Sequence, residues 1–245
     1  MTKNSLRGFT LFELLIVIAM VAILSTIAYP VFIGVLERGK ALKDMNNLRQ
    51  IGVATQLYLN DNNGVLFPAT PSWTMQLHPT IVMKQNGAVE YLSSWNVFQS
   101  PLDTRPALED DTNSPISYGI NQNVAGTGLF ANRIVTPSVF ILFAPAQDSA
   151  PTVEFQGTAA TAAPGVTVVG IGGSPPPPAP PLPVLATSNP GLNATGGTHS
   201  SRKQVNALFA DWHSENMLWT TFTNTTASSS DASANLRWVP YTPYP

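Results

Sequence analysis

Between residues 14 and 36 the chain carries no charged side chain, and that run restricts what the chain can fold into. As a helix it would be roughly 34 Å long at ~1.5 Å per residue, enough to cross a hydrocarbon core of about 30 Å. One carboxylate, Glu13, stands at its start. A charge inside such a stretch costs roughly 2.5–3.5 kcal/mol on insertion scales. Something must compensate Glu13, or its chemistry is the purpose of the segment. Lys3 and Arg7 precede the run, so the positive-inside tendency places the N-terminus in the cytoplasm. A secretory signal has a shorter apolar region with a small-residue cleavage site on its far side. Here the run is too long, and the small residue, Gly8, lies on its near side.

The helical pattern continues beyond the run. After Glu37, Arg38 and Lys40, apolar residues recur at Leu42, Met45, Leu48, Ile51 and Ala54, with Tyr58 and Leu59 close to the same stripe. Spacings of three and four predict an amphipathic continuation. The block Asn60-Asp61-Asn62-Asn63-Gly64 is a stop signal. The expectation is one helix over about residues 9–59, on the order of 75 Å long. Pro30, Gly34 and Gly39 are weak points where its ladder could kink or melt.

The stretch Gly8-Phe9-Thr10-Leu11-Phe12-Glu13-Leu14-Leu15 resembles the class III signal of type IV pilins and type II secretion pseudopilins. The resemblance implies that a prepilin peptidase cuts after Gly8 and that the new N-terminal Phe9 is N-methylated. Pro30 matches the proline that family members carry midway along this helix. In a packed filament, Glu13 of one subunit would neutralise the N-terminal amine of its neighbour, a pairing that favours one axial register. Phe9, Glu13 and Pro30 are then assembly residues. The implied partners are further copies of the chain in a helical homopolymer, the prepilin peptidase, the inner-membrane assembly machinery, and membrane lipid before assembly. The implied location is the inner membrane for the precursor, then an extracellular or periplasmic filament. A plain membrane anchor with a chance glutamate is the competing reading.

From Val65 the periodicity breaks into short segments. "VEYLSSWNVFQSP", "SPISYGINQNV" and "SVFILFAPAQD" carry aromatic and β-branched residues at strand-like spacing between turn signals. Residues 138–144 form an apolar run suited to burial on both faces. A helix followed by strands that need a lid predicts an α+β, pilin-like fold: an antiparallel sheet packed on the amphipathic half of the long helix. The expected organisation is a leader over residues 1–8 and a helix over 9–60, with 9–36 as transmembrane segment and filament core. A globular β domain follows over 61–245. Within it, residues 157–193 read as an exposed Pro-rich loop, with polyproline II at 175–178 and a strand at 166–171. It is either an inert linker or a filament-packing or glycan-bearing surface.

The segment "THSSRKQVNALFADWHSENM" resembles the closing motif of a pseudopilin-like family, a His, about nine residues, then Asp-Gly-His. His199, Asp211 and His213 occupy the matching positions. Eleven residues separate His199 from Asp211, which predicts a longer hairpin loop around residues 200–204. Trp212 stands where that family has glycine, which argues against a turn of positive φ there. "FQSP" around Ser100 and "SYGIN" at 117–121 echo the same family, with Ser100 where a cysteine is often found.

Chemistry is sparse. Charged residues are 11% of the chain, the net charge is -2, and Lys and Arg form no stripe, so no nucleic-acid partner is expected. Cysteine is absent, which removes disulfides and thiolate sites. His199, Asp211 and His213 have two readings: hydrogen bonding within a hairpin, or three ligands to zinc or another transition metal. Asp211 and His213, two apart, would share a strand face. His78 precedes a proline in a loop with no evident partner. Glu109-Asp110-Asp111, with Asp103 and Asn113, form either a solvated acidic loop or an oxygen cage for calcium. No phosphate loop or nucleophile motif is present, so an enzyme is not expected. The reading is a filament subunit. The alternatives are a minor tip subunit whose ectodomain binds a substrate or surface, and a membrane-tethered metalloenzyme.

Overall fold

A computed structural model describes residues 9–108, 114–121, 123–124, 126–146, 153, 155, 196–224, 228–238 and 240. The leader with Gly8, the acidic residues Glu109, Asp110 and Asp111 with Asn113, and the Pro-rich 157–193 segment with its expected strand lie outside these. Helix α1 runs Leu11–Asp61 as one element. The chain divides into two units at Gly39 and Lys40.

In the first unit the apolar side chains from Phe9 to Leu36 are exposed on every side of the helix. Its most apolar window has a mean hydropathy of 2.6, long and apolar enough to cross a membrane. Two of its hydroxyls bond back to the helix, Ser25 Oγ to the Val21 carbonyl at 2.8 Å and Thr26 Oγ1 to that of Ile23 at 2.7 Å. Neither is left asking for water. The helix does not melt at its three weak points: Pro30 lies inside α1, and Gly34 and Gly39 are helical. A proline removes one rung and an interior glycine costs about 1 kcal/mol, and the rungs on both sides of each remain.

In the second unit α1 buries Asp44, Asn47, Leu48, Ile51, Gly52, Ala54, Thr55, Tyr58 and Leu59. The stripe is the expected one except at its start. Leu42 is exposed, and the position facing inward in that turn is Asp44. Helix α1 stops at the Asn-rich block, where Asn63 and Gly64 take positive φ (54° and 76°) and the Gly64 amide bonds the Leu59 carbonyl at 2.8 Å.

Four strands follow: β1 (Tyr118–Ile120), β2 (Ile141–Pro145), β3 (Gln204–Phe209) and β4 (Ser214–Leu218). They pair in the order β1-β2-β3-β4, antiparallel throughout, with a register shift between Ile141 and Phe143. The α+β expectation holds, and β2 is buried along its whole length as its apolar run implied. Period-2 alternation sends β3 to two cores. Leu208 joins the α1-side cluster with Leu48, Ile51, Phe67, Trp73 and Phe143. Val205, Ala207 and Phe209 join a second cluster roofed by Trp219, Phe222 and Trp238. Trp219 and Phe222 of that roof come from α4 (Trp219–Thr223), after α2 (Trp73–Leu77) and α3 (Ile81–Gln85) earlier in the chain.

Two expectations need correcting. "VEYLSSWNVFQSP" contains no strand; Trp95–Phe98 is a 3-10 turn, opened by Ser94 Oγ accepting from the Asn96 amide at 3.2 Å. Residues three apart eclipse in such a turn, so Trp95 and Phe98 both reach the core. His78 is not a loop residue without a partner. It is buried, its Nδ1 bonds the Leu92 carbonyl and lies 3.2 Å from Glu90, and its ring meets Trp95 edge-on at 4.9 Å.

At Gly52 α1 lies close against β3: a Cβ there would sit 3.1 Å from Leu208 Cδ2. A larger side chain has to displace the Leu208 side chain, and overpacking of this kind costs about 1–3 kcal/mol. Gly52→Leu is expected to lower stability by that amount, read by denaturation of the detergent-solubilised chain. Unchanged stability would show the contact to be loose.

Candidate functional site

At the N-terminal end of α1, Thr10 and Glu13 form a reciprocal cap. The Glu13 amide donates to Thr10 Oγ1 at 3.2 Å, and the Thr10 amide donates to Glu13 Oε2 at 2.9 Å. Thr10 Oγ1–H donates to the same Oε2 at 2.8 Å. This is the Thr-x-x-Glu capping box, which satisfies two orphan amides of the first turn. Glu13 thus has a partner within its own chain, a use that the spacing of Thr10 and Glu13 already signalled. Both bonds fall on Oε2, leaving Oε1 without a hydrogen bond among the described residues. Phe9 is exposed, and Gly8 lies outside the described residues.

The second unit holds a buried polar cluster that sequence reasoning missed. Asp44 is 0% exposed, on the face of α1 turned to the sheet. Its Oδ1 accepts from Ser100 Oγ at 2.6 Å and from the Tyr118 hydroxyl at 2.7 Å. Its Oδ2 accepts from Asn206 Nδ2 at 2.8 Å, and that amide also donates to the Ala41 carbonyl. Asn216 on β4 donates to Asn206 Oδ1 at 2.9 Å, and its Nδ2 lies 2.5 Å from His199 Nε2. Burial pushes the Asp44 carboxyl above the ordinary aspartate range, against the opposing bonds from Ser100, Tyr118 and Asn206. Burial, and next the Asp44 charge, push the Tyr118 hydroxyl well up.

The closing-motif residues divide between two places. His199 is buried, bridges to Gln204 at the start of β3, and belongs to the Asp44 cluster. Residues Ser200, Ser201 and Arg202 between them all take positive φ, so the longer spacing is absorbed in a left-handed turn. Asp211 and His213 sit beyond the other end of β3, in the β3–β4 turn rather than on a strand face. His213 Nδ1 contacts Asp211 Oδ1, its amide donates to the same oxygen at 3.2 Å, and its ring stacks on Phe209 at 4.3 Å. Among the described residues no group of three His, Cys, Asp or Glu side chains could hold a metal. Trp212 corrects a second expectation: it adopts φ 73° despite its side chain. The hairpin needs the corner, Asp211 stabilises it as an Asx-type turn, and the indole packs against the α1-side core. The left-handed conformation costs about 1–2 kcal/mol.

Asp103, the described member of the calcium candidates, faces inward. It takes bonds from Arg105 Nε and Nη2 and from Ser117 Oγ at 2.6 Å, with its side chain 2% exposed.

Residues 3–29 match the prokaryotic N-terminal methylation motif. The chain matches no curated protein and no solved structure. The motif supports a type IV pilin-like, prepilin-type subunit, a class that is structural and generally non-enzymatic. Such a signal implies processing by a prepilin peptidase and fits a precursor anchored in the inner membrane.

Two outcomes are expected here. Asp44→Ala leaves three donors facing no acceptor and should cost about 3 kcal/mol in denaturation; a loss near zero would show that the cluster repacks. Because burial raises the Asp44 pKa, the folded state holds that proton more tightly than the unfolded state. The resulting stabilisation is complete below the ordinary aspartate pKa of about 3.9 and is lost as pH rises through the folded value. Stability of wild type minus that of Asp44→Asn should therefore fall with rising pH, and a rise would reverse the assignment. For the closing motif, elemental analysis of purified protein should find no stoichiometric transition metal, and chelator should leave Tm unchanged. A one-to-one metal lost in His213→Ala would overturn that reading.

Proposed function

We propose that this chain is the structural subunit of a type IV pilus-like or type II secretion pseudopilus filament. It is cut after Gly8, N-methylated at Phe9 and assembled through its N-terminal helix. The observation that carries the reading is the helix surface from Phe9 to Leu36, apolar on every side and exposed, directly after a methylation motif. Lipid covers such a surface in the precursor, and neighbouring copies of the same helix cover it in the filament. Glu13 has the second role its free Oε1 supports. While Oε2 holds the Thr10 cap, Oε1 accepts the Phe9 amine of a neighbouring subunit, so two charges costly in an apolar core neutralise each other. Pro30 belongs to the packed part of the helix. The partners are further copies, the prepilin peptidase and the inner-membrane assembly machinery, and no cofactor or catalytic step is invoked. The filament lies outside the inner membrane, in the periplasm or beyond the cell.

Processing and pairing are separable by experiment. Intact-mass analysis of sheared filaments should find subunits beginning at methylated Phe9, and Gly8→Leu should accumulate precursor in the membrane. Filament subunits that keep residues 1–8 would sink the processing claim. Glu13→Gln preserves the capping box, which accepts Gln as well as Glu, but leaves the neighbour's amine unpaired at about 3–5 kcal/mol. It should be cleaved and membrane-resident yet poor in filaments, whereas Thr10→Ala, which breaks only the cap, should assemble far better. Equal filament yields from Glu13→Gln and wild type would show that the charge does not drive assembly.

A further inference from the structure

We propose that the open cleft between the C-terminal end of α1 and the β3–β4 turn is a binding site for a neutral saccharide. The cleft has a volume of about 580 Å³, within the range of small-ligand sites. Its walls are tied together by backbone bonds, from the Ala131 amide to the Gly64 carbonyl at 2.8 Å and from the Leu66 amide to the Leu129 carbonyl at 2.8 Å. The site is therefore formed before any ligand arrives.

Its lining pairs two kinds of side chain. Gln56, Asn60, Asn63 and Asn132 present amides, while Phe130 and Trp212 present aromatic rings. No lining residue is charged, which disfavours both anions and metal cations. None of the four amides makes a side-chain hydrogen bond among the described residues, so their capacity is unspent. An amide offers two donors and an acceptor side by side, which suits vicinal hydroxyls that each give and take a hydrogen bond. An aromatic ring offers an electron-rich face, which suits the C–H face of a pyranose. Phe130 is 48% exposed, a large apolar group left facing solvent. Trp212 backs onto the core while its φ of 73° holds the indole at the cleft. Aromatic side chains beside uncharged amides are the chemistry of a sugar site, and the inference does not depend on whether the chain polymerises.

The test uses the full chain in a zwitterionic detergent, because glycosidic detergents would compete for the cleft. Maltotetraose, cellotetraose and tetra-N-acetylchitotetraose are titrated by tryptophan fluorescence and calorimetry, with a sulfated oligosaccharide as the charged control. Saturable binding of at least one neutral probe is expected, with the sulfated control weaker. Trp212→Gly should weaken binding by about tenfold or more, a shift of one decade in Kd, and glycine accepts the positive φ of the turn freely. Since Trp212 also packs on the core, Asn132→Ala, an exposed side chain, serves as the second variant and should weaken binding several-fold at unchanged Tm. Absence of saturable binding for all three neutral probes up to about 10 mM, tenfold above a Kd of about 1 mM, overturns the proposal. So does wild-type affinity in both variants, or a sulfated probe bound as tightly as the neutral ones.

Discussion

A carboxylate sealed from water organises the second unit. Asp44 draws its hydrogen bonds from the segment before β1, from β1 itself and from β3, and through Asn206 and Asn216 the cluster extends to β4 and the His199 turn. An apolar contact tolerates sliding, because dispersion and burial are non-directional. A buried carboxylate with three donors does not tolerate it, since any shift of helix against sheet strands a polar group. The arrangement sets the rotation of α1 about its own axis. Leu42 could have faced inward by apolarity alone, yet the turn presents Asp44 instead and leaves Leu42 to solvent.

That inversion explains which parts of the fold could be read from the sequence. The long helix and β2 could, because each is a local apolar pattern whose period declares its burial. The Thr10–Glu13 cap was also within reach, being a three-residue spacing with a known mechanism. Asp44 was not. Its partners lie 56, 74 and 162 positions away, and an isolated aspartate between charged residues on a helix reads as a solvated face. Trp95–Phe98 misled for a different reason, since aromatic enrichment marks burial without choosing between strand and 3-10 turn. Of the closing-motif residues, His199 faces the buried cluster while Asp211 and His213 serve the β3–β4 turn. Sequence proximity had joined what one strand keeps apart.

The two carboxylates that matter most illustrate opposite solutions. Asp44 is enclosed and given three donors by its own domain. Glu13 is exposed, satisfied on one oxygen by its own first turn, and open on the other. A residue of the first kind specifies a single internal packing. One of the second kind is fit for a contact that the isolated chain does not make.

The sheet order carries one more consequence. Strands β2 and β3 are direct neighbours, yet they are separated in the chain by residues 146–203. The entropy of closing such a connection grows only with the logarithm of its length, about 0.6 kcal/mol for each doubling. The β2–β3 pairing is therefore almost indifferent to how long that segment is. Relatives of this chain are free to lengthen, shorten or wholly rewrite it while the sheet, the buried carboxylate and the long helix stay as they are.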